Sequence, residues 1–230
     1  MAVFVSGQIT IPKRLNDTFS ANSWSDIVTA CQTNNVPAAW NVGDSKSMTI
    51  DGVTYQIDII GKNHDTYSDG TGLAPLTFQF HESYTTTYRM NSTNVNSTGW
   101  LSSEMRLNNI LAIFNLLPLE VRSGIRQVNK LTTVGGQQST VNIGQDNLFL
   151  LSEVEVFGET SFSKSGEGVQ YEYYAKGLPT IKKRNDSDAI WWLRSPHGTG
   201  NTQFCAITAT GTPSNTAASS VYGVSPAFCF

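Results

Sequence analysis

Apolar residues change their spacing along the chain, and each change marks an element. Trp24, Ile27, Val28 and Cys31 follow at helical intervals behind Ser23, a good N-cap, and Asn34-Asn35 and Pro37 close that helix. The period then drops to two. Residues 47–50 and 53–57 alternate on either side of Asp51-Gly52, which predicts a tight hairpin, and its second strand runs on through Ile59 and Ile60 to Gly61. Residues 76–80 are a further strand. Helical spacing returns over 102–117, where Met105, Ile110, Leu111 and Phe114 form the expected buried face. After Pro118 a second helix is predicted, with Val121, Ile125 and Val128 inward and Arg122, Arg126 and Lys130 on a wet face.

The rest of the chain reads mostly as strand. Residues 147–151 form a buried strand leading into 152–158, and 168–176 make a short helix rich in tyrosine. Strands follow at 190–193, 204–207 and 221–230. Strands at both ends and helices in the middle, without a β-α-β rhythm, predict an α+β domain of antiparallel strands with two to four helices. Residues 1–20 read as an N-terminal arm, extended over 3–11 and stopped by Pro12, and residues 21–230 as one domain.

Composition narrows the function. Only 14% of residues are charged, against roughly 25% in ordinary soluble domains, so solubility rests on Ser, Thr, Asn and Gln. A net charge of −3 argues against nucleic acid as a partner. The only basic run, Lys182-Lys183-Arg184, reads as a solvated turn before Asp186 and Asp188. No apolar run approaches a membrane span and the opening residues carry no signal pattern. The expectation is synthesis in a cytoplasm and action as part of a virion or at a cell surface. Cys31, Cys205 and Cys229 are too few for a disulfide scaffold, and Cys205 and Cys229 read as reduced, half-buried thiols.

Four motifs recur in a fixed order: Gly99-Trp100 followed by Met105-Arg106; the segment 148–158; Trp191-Trp192-Leu193-Arg194-Ser195-Pro196; and Gly223-Val224-Ser225-Pro226-Ala227-Phe228. From about Trp24 onward they resemble an uncharacterised domain family common in gut Firmicutes and their prophages. That resemblance implies a C-type-lectin-like fold related to the formylglycine-generating enzymes. It also brings in the variable proteins of diversity-generating retroelements, with which phages vary receptor binding at their tail tips. By the resemblance, the motifs at 191–196 and 223–228 are core strands and the variable positions fall within 197–222. A fibre-tip role further implies a homotrimer and a protein or glycan partner on a bacterial surface.

The same tract stands out without any relative. Residues 195–230 contain no Asp, Glu, Lys or Arg. His197, Thr199, Asn201, Gln203, Thr208, Thr210, Thr212, Ser214, Asn215, Thr216, Ser219 and Tyr222 supply short hydroxyls, amides and rings, the adaptable groups of antibody paratopes. They are the candidate ligand-binding residues of a non-enzymatic domain. A structural or assembly domain of a phage or surface complex is the alternative, and a formylglycine-generating-type oxidase a remoter one, since nothing beside Cys205 or Cys229 would activate a thiol. No cofactor is expected. A structural calcium is compatible with the Asp/Asn-rich loops, although no spacing names its ligands. Asn63-His64-Asp65 reads as a buried polar cluster, and Arg194 as the partner of a buried Glu153 or Glu155.

Overall fold

A computed structural model describes residues 14–230; most of the expected arm, residues 1–13, lies outside them. The last residues of that segment belong to the domain. Phe19, in a 3-10 turn over Phe19–Ala21, is buried against Trp40 and Phe78, with ring centroids 5.3 and 6.1 Å away. Helix α1, Trp24–Gln32, starts at Ser23 in a capping box closed by Asp26. Strands β1, Ser45–Ile50, and β2, Val53–Lys62, pair across a two-residue turn in which Asp51 (φ 47°) and Gly52 (φ 78°) are both left-handed. β3 is Leu76–Phe80.

The expected helix over 102–117 is altered by its start. Residues Met105–Ile110 form a π-helical turn, and only Leu111–Leu116 (α2) is α-helical. The wider turn spaces the buried side chains Met105 and Ile110 five apart before Ile113 and Leu117 resume at three and four. The inward stripe is thereby rotated, so Leu111 is 52% exposed and Phe114 only partly covered. The helix after Pro118 is a single turn, α3, Leu119–Arg122. Gly124 then passes α1 so closely that a Cβ would meet Val28 Cγ1 at 2.5 Å. Val128 opens a strand instead, β4, Val128–Thr133, hairpinned with β5, Val141–Asp146. A period of two puts Val128, Lys130 and Thr132 inward, so Lys130 is buried at 2% and not on a wet face.

β6, Leu148–Phe149, is followed by α4, Glu153–Phe157, capped by Ser152 and closed by left-handed Gly158, and by α5, Glu172–Ala175. The basic run is strand β7, Lys182–Arg184, turned by Asn185 and Asp186 into β8, Ser187–Ala189. β9, Trp191–Pro196, β10, Gln203–Ile207, β11, Pro213–Ala217, and β12, Ala227–Cys229, complete the chain. The strand expected over 221–230 is thus confined to its end, and the candidate tract 197–222 holds a further strand, β11. With five short α-helices among the described residues, two to four was an underestimate. Every pairing between these named strands is antiparallel, in sheets ordered β1-β2-β3-β12-β6, β11-β10-β9, β4-β5 and β7-β8, and β9 adds one parallel bridge from Trp191 to Gly223. The fold is α+β. β12 lies inside the largest sheet, which is why 227–230 is apolar on both faces. No helix of the described residues is long and apolar enough to cross a membrane.

Buried charges join these layers. Arg194 is fully buried and grips both Glu155 carboxylate oxygens, while also donating to the carbonyls of Leu131, Leu150 and Glu167. The expected carboxylate partner is therefore Glu155; Glu153 instead accepts from the Phe162 and Ser163 backbone amides. Lys130 Nζ lies 2.7 Å from both Asp65 Oδ1 and Glu155 Oε1 and 2.9 Å from the Tyr171 hydroxyl. Burial pushes the Asp65 carboxyl up, but Lys130 and the hydrogen bonds from Lys130 and Thr77 outweigh it and bring it down to about 2.

Lys182 is buried too, contrary to a solvated turn, and donates to the carbonyls of Phe80 and His81 at 2.7 and 3.0 Å. Burial lowers it to about 8, against the pull of Asp58 and Glu82. The unfolded chain keeps this proton to roughly pH 10.4, so between pH 8 and 10.4 the unfolded state binds more protons and stability rises with pH. Subtracting the stability curve of Lys182→Met from that of the native chain is expected to leave this rise. A flat difference would mean the ammonium is not strained by burial.

Candidate functional site

The C-terminal tract divides by topology. β9 and β10 are all but sealed, from Trp191 through Pro196 and Phe204 through Ile207, so the short sheet is a rigid mount. The five residues of β10 span roughly 16 Å, and the polar turns lie at its opposite ends. At one end, residues 197–202 join β9 to β10, and 218–222 follow β11; Ala218 N–H donates to Thr202 O at 2.9 Å. His197, Thr199, Asn201, Gln203 and Ser219 belong here; Tyr222 lies farther along, beside Trp192, whose partner on β10 is Ala206, toward the other end. At the other end, 208–212 join β10 to β11, and the three threonine hydroxyls bond to one another, Thr208 Oγ1 lying 2.9 Å from Thr210 Oγ1 and 2.8 Å from Thr212 Oγ1. Ser214, Asn215 and Thr216 connect the two ends along β11, half-buried on a strand that among the described residues pairs on one side only. The sequence-predicted residues therefore form a strip with two ends and not one loop surface.

The first end is held by a residue the sequence did not single out. Asn96 is fully buried, and its amide Nδ2 reaches the carbonyls of His197, Gly200 and Gln203 at 3.3, 2.9 and 2.7 Å. Its Oδ1 accepts from Gly136 N–H and its own N–H donates to Asn201 O. Gly136's neighbour Gly135 has φ 78°, and a Cβ there would meet Asn96 O at 1.9 Å, so glycine is required. The only sequence signal is an asparagine-rich stretch ahead of Gly99-Trp100, without periodicity. His197 Nδ1 accepts from Gly200 N–H at 2.8 Å, which needs the neutral ring; burial lowers its pKa in the same direction. Tyr222 leans on Trp192 at 5.4 Å and bridges to Tyr88.

What stays available at the first end is polar and uncharged: Thr199 and Asn201 are exposed, His197, Gln203 and Ser219 partly so. Such groups can exchange hydrogen bonds with a ligand. The three cysteines are free and buried, Cys205 and Cys229 beyond the half-burial expected of them, and burial drives the thiols of those two well up. Among the described residues no three His, Cys, Asp or Glu side chains converge to hold a metal. Asp65 of the 63–65 cluster is buried, while His64 stacks on Tyr171 at 3.9 Å.

The motif residues are scaffold in each case. Trp100 Nε1 donates to Asp146 Oδ2 at 2.8 Å and Arg106 Nε to Oδ1 at 2.6 Å. Ser225 donates to Phe80 O, and Phe80 N–H to Pro226 O. A family model described as a domain of unknown function, DUF6273, matches residues 77–230. No curated protein and no solved structure matches the chain.

Proposed function

We propose that this chain, which belongs to the DUF6273 family, is a non-enzymatic recognition domain of C-type-lectin-like type that binds a protein or glycan on a bacterial surface through its C-terminal tract. The setting in view is a phage or prophage tail tip or a retroelement-diversified protein. One observation carries the reading: a strip of neutral hydroxyls and amides stands on two sealed strands, with its turn pinned from below by Asn96. Exposed side chains such as Thr199 and Asn201 can change with little disturbance of the mount, because Asn96 anchors the turn through main-chain carbonyls. Placement of the C-terminal strand within the main sheet, beside a smaller sheet bearing the turns, supports the lectin-like assignment. The high thiol pKa values of Cys205 and Cys229 speak against oxidase chemistry, since the thiolate is the reactive form.

The test is binding of the fluorescently labelled full chain to a panel of intact Firmicute cells and to a glycan array, beside a variant with Thr199→Ala, Asn201→Ala and Ser219→Ala together. Loss of binding by at least roughly tenfold, about 1.4 kcal/mol, with unchanged thermal melting is expected. Equal binding by both proteins would remove the tract from the function. The assembly reading has one observation of its own, the one-sided pairing of β11 among the described residues, an edge on which a neighbouring strand can add. Pro213 at its start blunts that edge.

A further inference from the structure

We propose that Lys130 and Asp65 join in an intramolecular isopeptide bond, with Glu155 carrying the proton that the coupling displaces. Backbone register sets the pair. Tyr67 and Val128 bridge as antiparallel partners and Asn129 N–H donates to Thr66 O at 2.9 Å, so the next positions along, 65 and 130, face each other. Lys130 Nζ lies 2.7 Å from Asp65 Oδ1. The carboxyl carbon is one C–O bond of about 1.2 Å beyond. That keeps the nitrogen within roughly 3.9 Å of it, close to the ~3–3.5 Å of a near-attack pair. The two side chains are 2% and 3% exposed, and the Phe149 and Tyr171 rings stand 4.3 and 5.3 Å from Nζ. Bulk water therefore neither solvates the reacting atoms nor hydrolyses the product.

The pair is ionic as the chain folds. Burial works against the Lys130 ammonium, but Asp65 and Glu155 outweigh it and raise its pKa, with the Arg194 charge opposing them. Passing one proton from Nζ to Oδ1 gives a neutral amine and a neutral acid, the form that poor solvation favours. The amine lone pair then attacks Cγ. Glu155 Oε1, 2.7 Å from Nζ, takes a proton from the attacking nitrogen and returns it to the Oδ1 hydroxyl, which leaves as water. One C–N bond forms, one C–O bond breaks, and nothing is oxidised or reduced. Charge that builds on Oδ2 meets the Thr77 hydroxyl at 2.6 Å and the Tyr171 hydroxyl at 2.9 Å. The released water leaves by the cleft of about 440 Å³ that Asp65, Lys130 and Glu155 line with His64 and Val169. Because the ionic form predominates, coupling is slow, and the acid behaviour of Asp65 is that of the unlinked chain. The bond ties the turn after β2 to β4 and closes a long loop, which narrows the unfolded ensemble as a disulfide does; the three cysteines form none. None of these residues lies in the C-terminal tract, so the bond stands or falls apart from that reading.

Intact-mass spectrometry of the purified full chain, followed during incubation at neutral pH, tests it. Conversion, partial or complete, to a species lighter by one water is expected. Trypsin should then leave residues 63–89 joined to 127–164, because cleavage after a linked Lys130 is blocked. Lys130→Arg and Asp65→Ala should each stay at full mass. Glu155→Gln keeps the shape but cannot carry the proton, so coupling should slow at least roughly a hundredfold, the lower end for a general acid–base group. The native chain decides the matter even where a variant misfolds. Full mass throughout, a link that fragmentation places on Glu155, loss of water that persists in Asp65→Ala, or coupling at the native rate in Glu155→Gln would each overturn the proposal.

Discussion

Replacing Arg194 with alanine is expected to destabilise the domain by about 3–5 kcal/mol, measured as a shift in the urea unfolding midpoint of the full chain. The side chain is fully buried and joins Glu155 to the main chain of β4, of the segment after β6 and of Glu167. Truncation leaves Glu155 with Lys130 as its only cation and strips donors from three carbonyls. A change of this size takes a large share of the 5–15 kcal/mol that holds a typical domain. Arg194→Lys should recover little, since one ammonium cannot reproduce a two-nitrogen grip on the carboxylate and reach three carbonyls as well. Should Arg194→Ala instead keep native stability and lose only ligand binding, the guanidinium belongs to the site and not to the frame. The same network sets the acid limit. Asp65 has a folded value of about 2 against roughly 3.9 unfolded, so its stabilisation is complete above the unfolded value and is lost as pH falls toward 2. Glu167, raised by burial against Arg194 and its hydrogen bonds, works the other way as it takes up a proton.

Asn96→Ala is expected to loosen the 197–203 turn without unfolding the domain. Three carbonyls lose their shared donor and the Gly136 amide loses its acceptor. At about 1 kcal/mol for each net hydrogen bond, a local loss near 3 kcal/mol corresponds to roughly a hundredfold faster amide exchange in the turn. Binding through the tract should fall with it, because the ordering Asn96 had provided must then be supplied on association. Asn96→Asp is the control: it keeps the shape but has no N–H to donate, so it should behave like alanine. Unchanged exchange at Gly200 and Gln203 in either variant would show that the turn is held by its own hydrogen bonds, such as Gly200 N–H to His197 Nδ1.

Much of the fold is local, and local features can be read from residue order. Ser23 and Asp26 lie within one turn of each other, Asp51-Gly52 carries its own left-handed geometry, and the runs at 191–193 and 227–229 are apolar because both faces of their strands are covered. The absence of charge in 195–230 is likewise a property of the sequence, and so is the need of Arg194 for a carboxylate. Tertiary structure decided the rest. Lys130 and Lys182 look like surface cations until contacts bury them, because hydrophobic period says nothing of a carboxylate 65 positions away. Asn96 finds its carbonyls 101 to 107 residues downstream, and the π turn that rotates α2 is chosen by packing over helical spacing. The sequence by itself determined that the tract is neutral and flanked by core strands. Only the folded chain decided that β10 splits the tract into two ends, and that Asn96 pins one of them. Both depend on which distant segments meet, and a local pattern does not encode that.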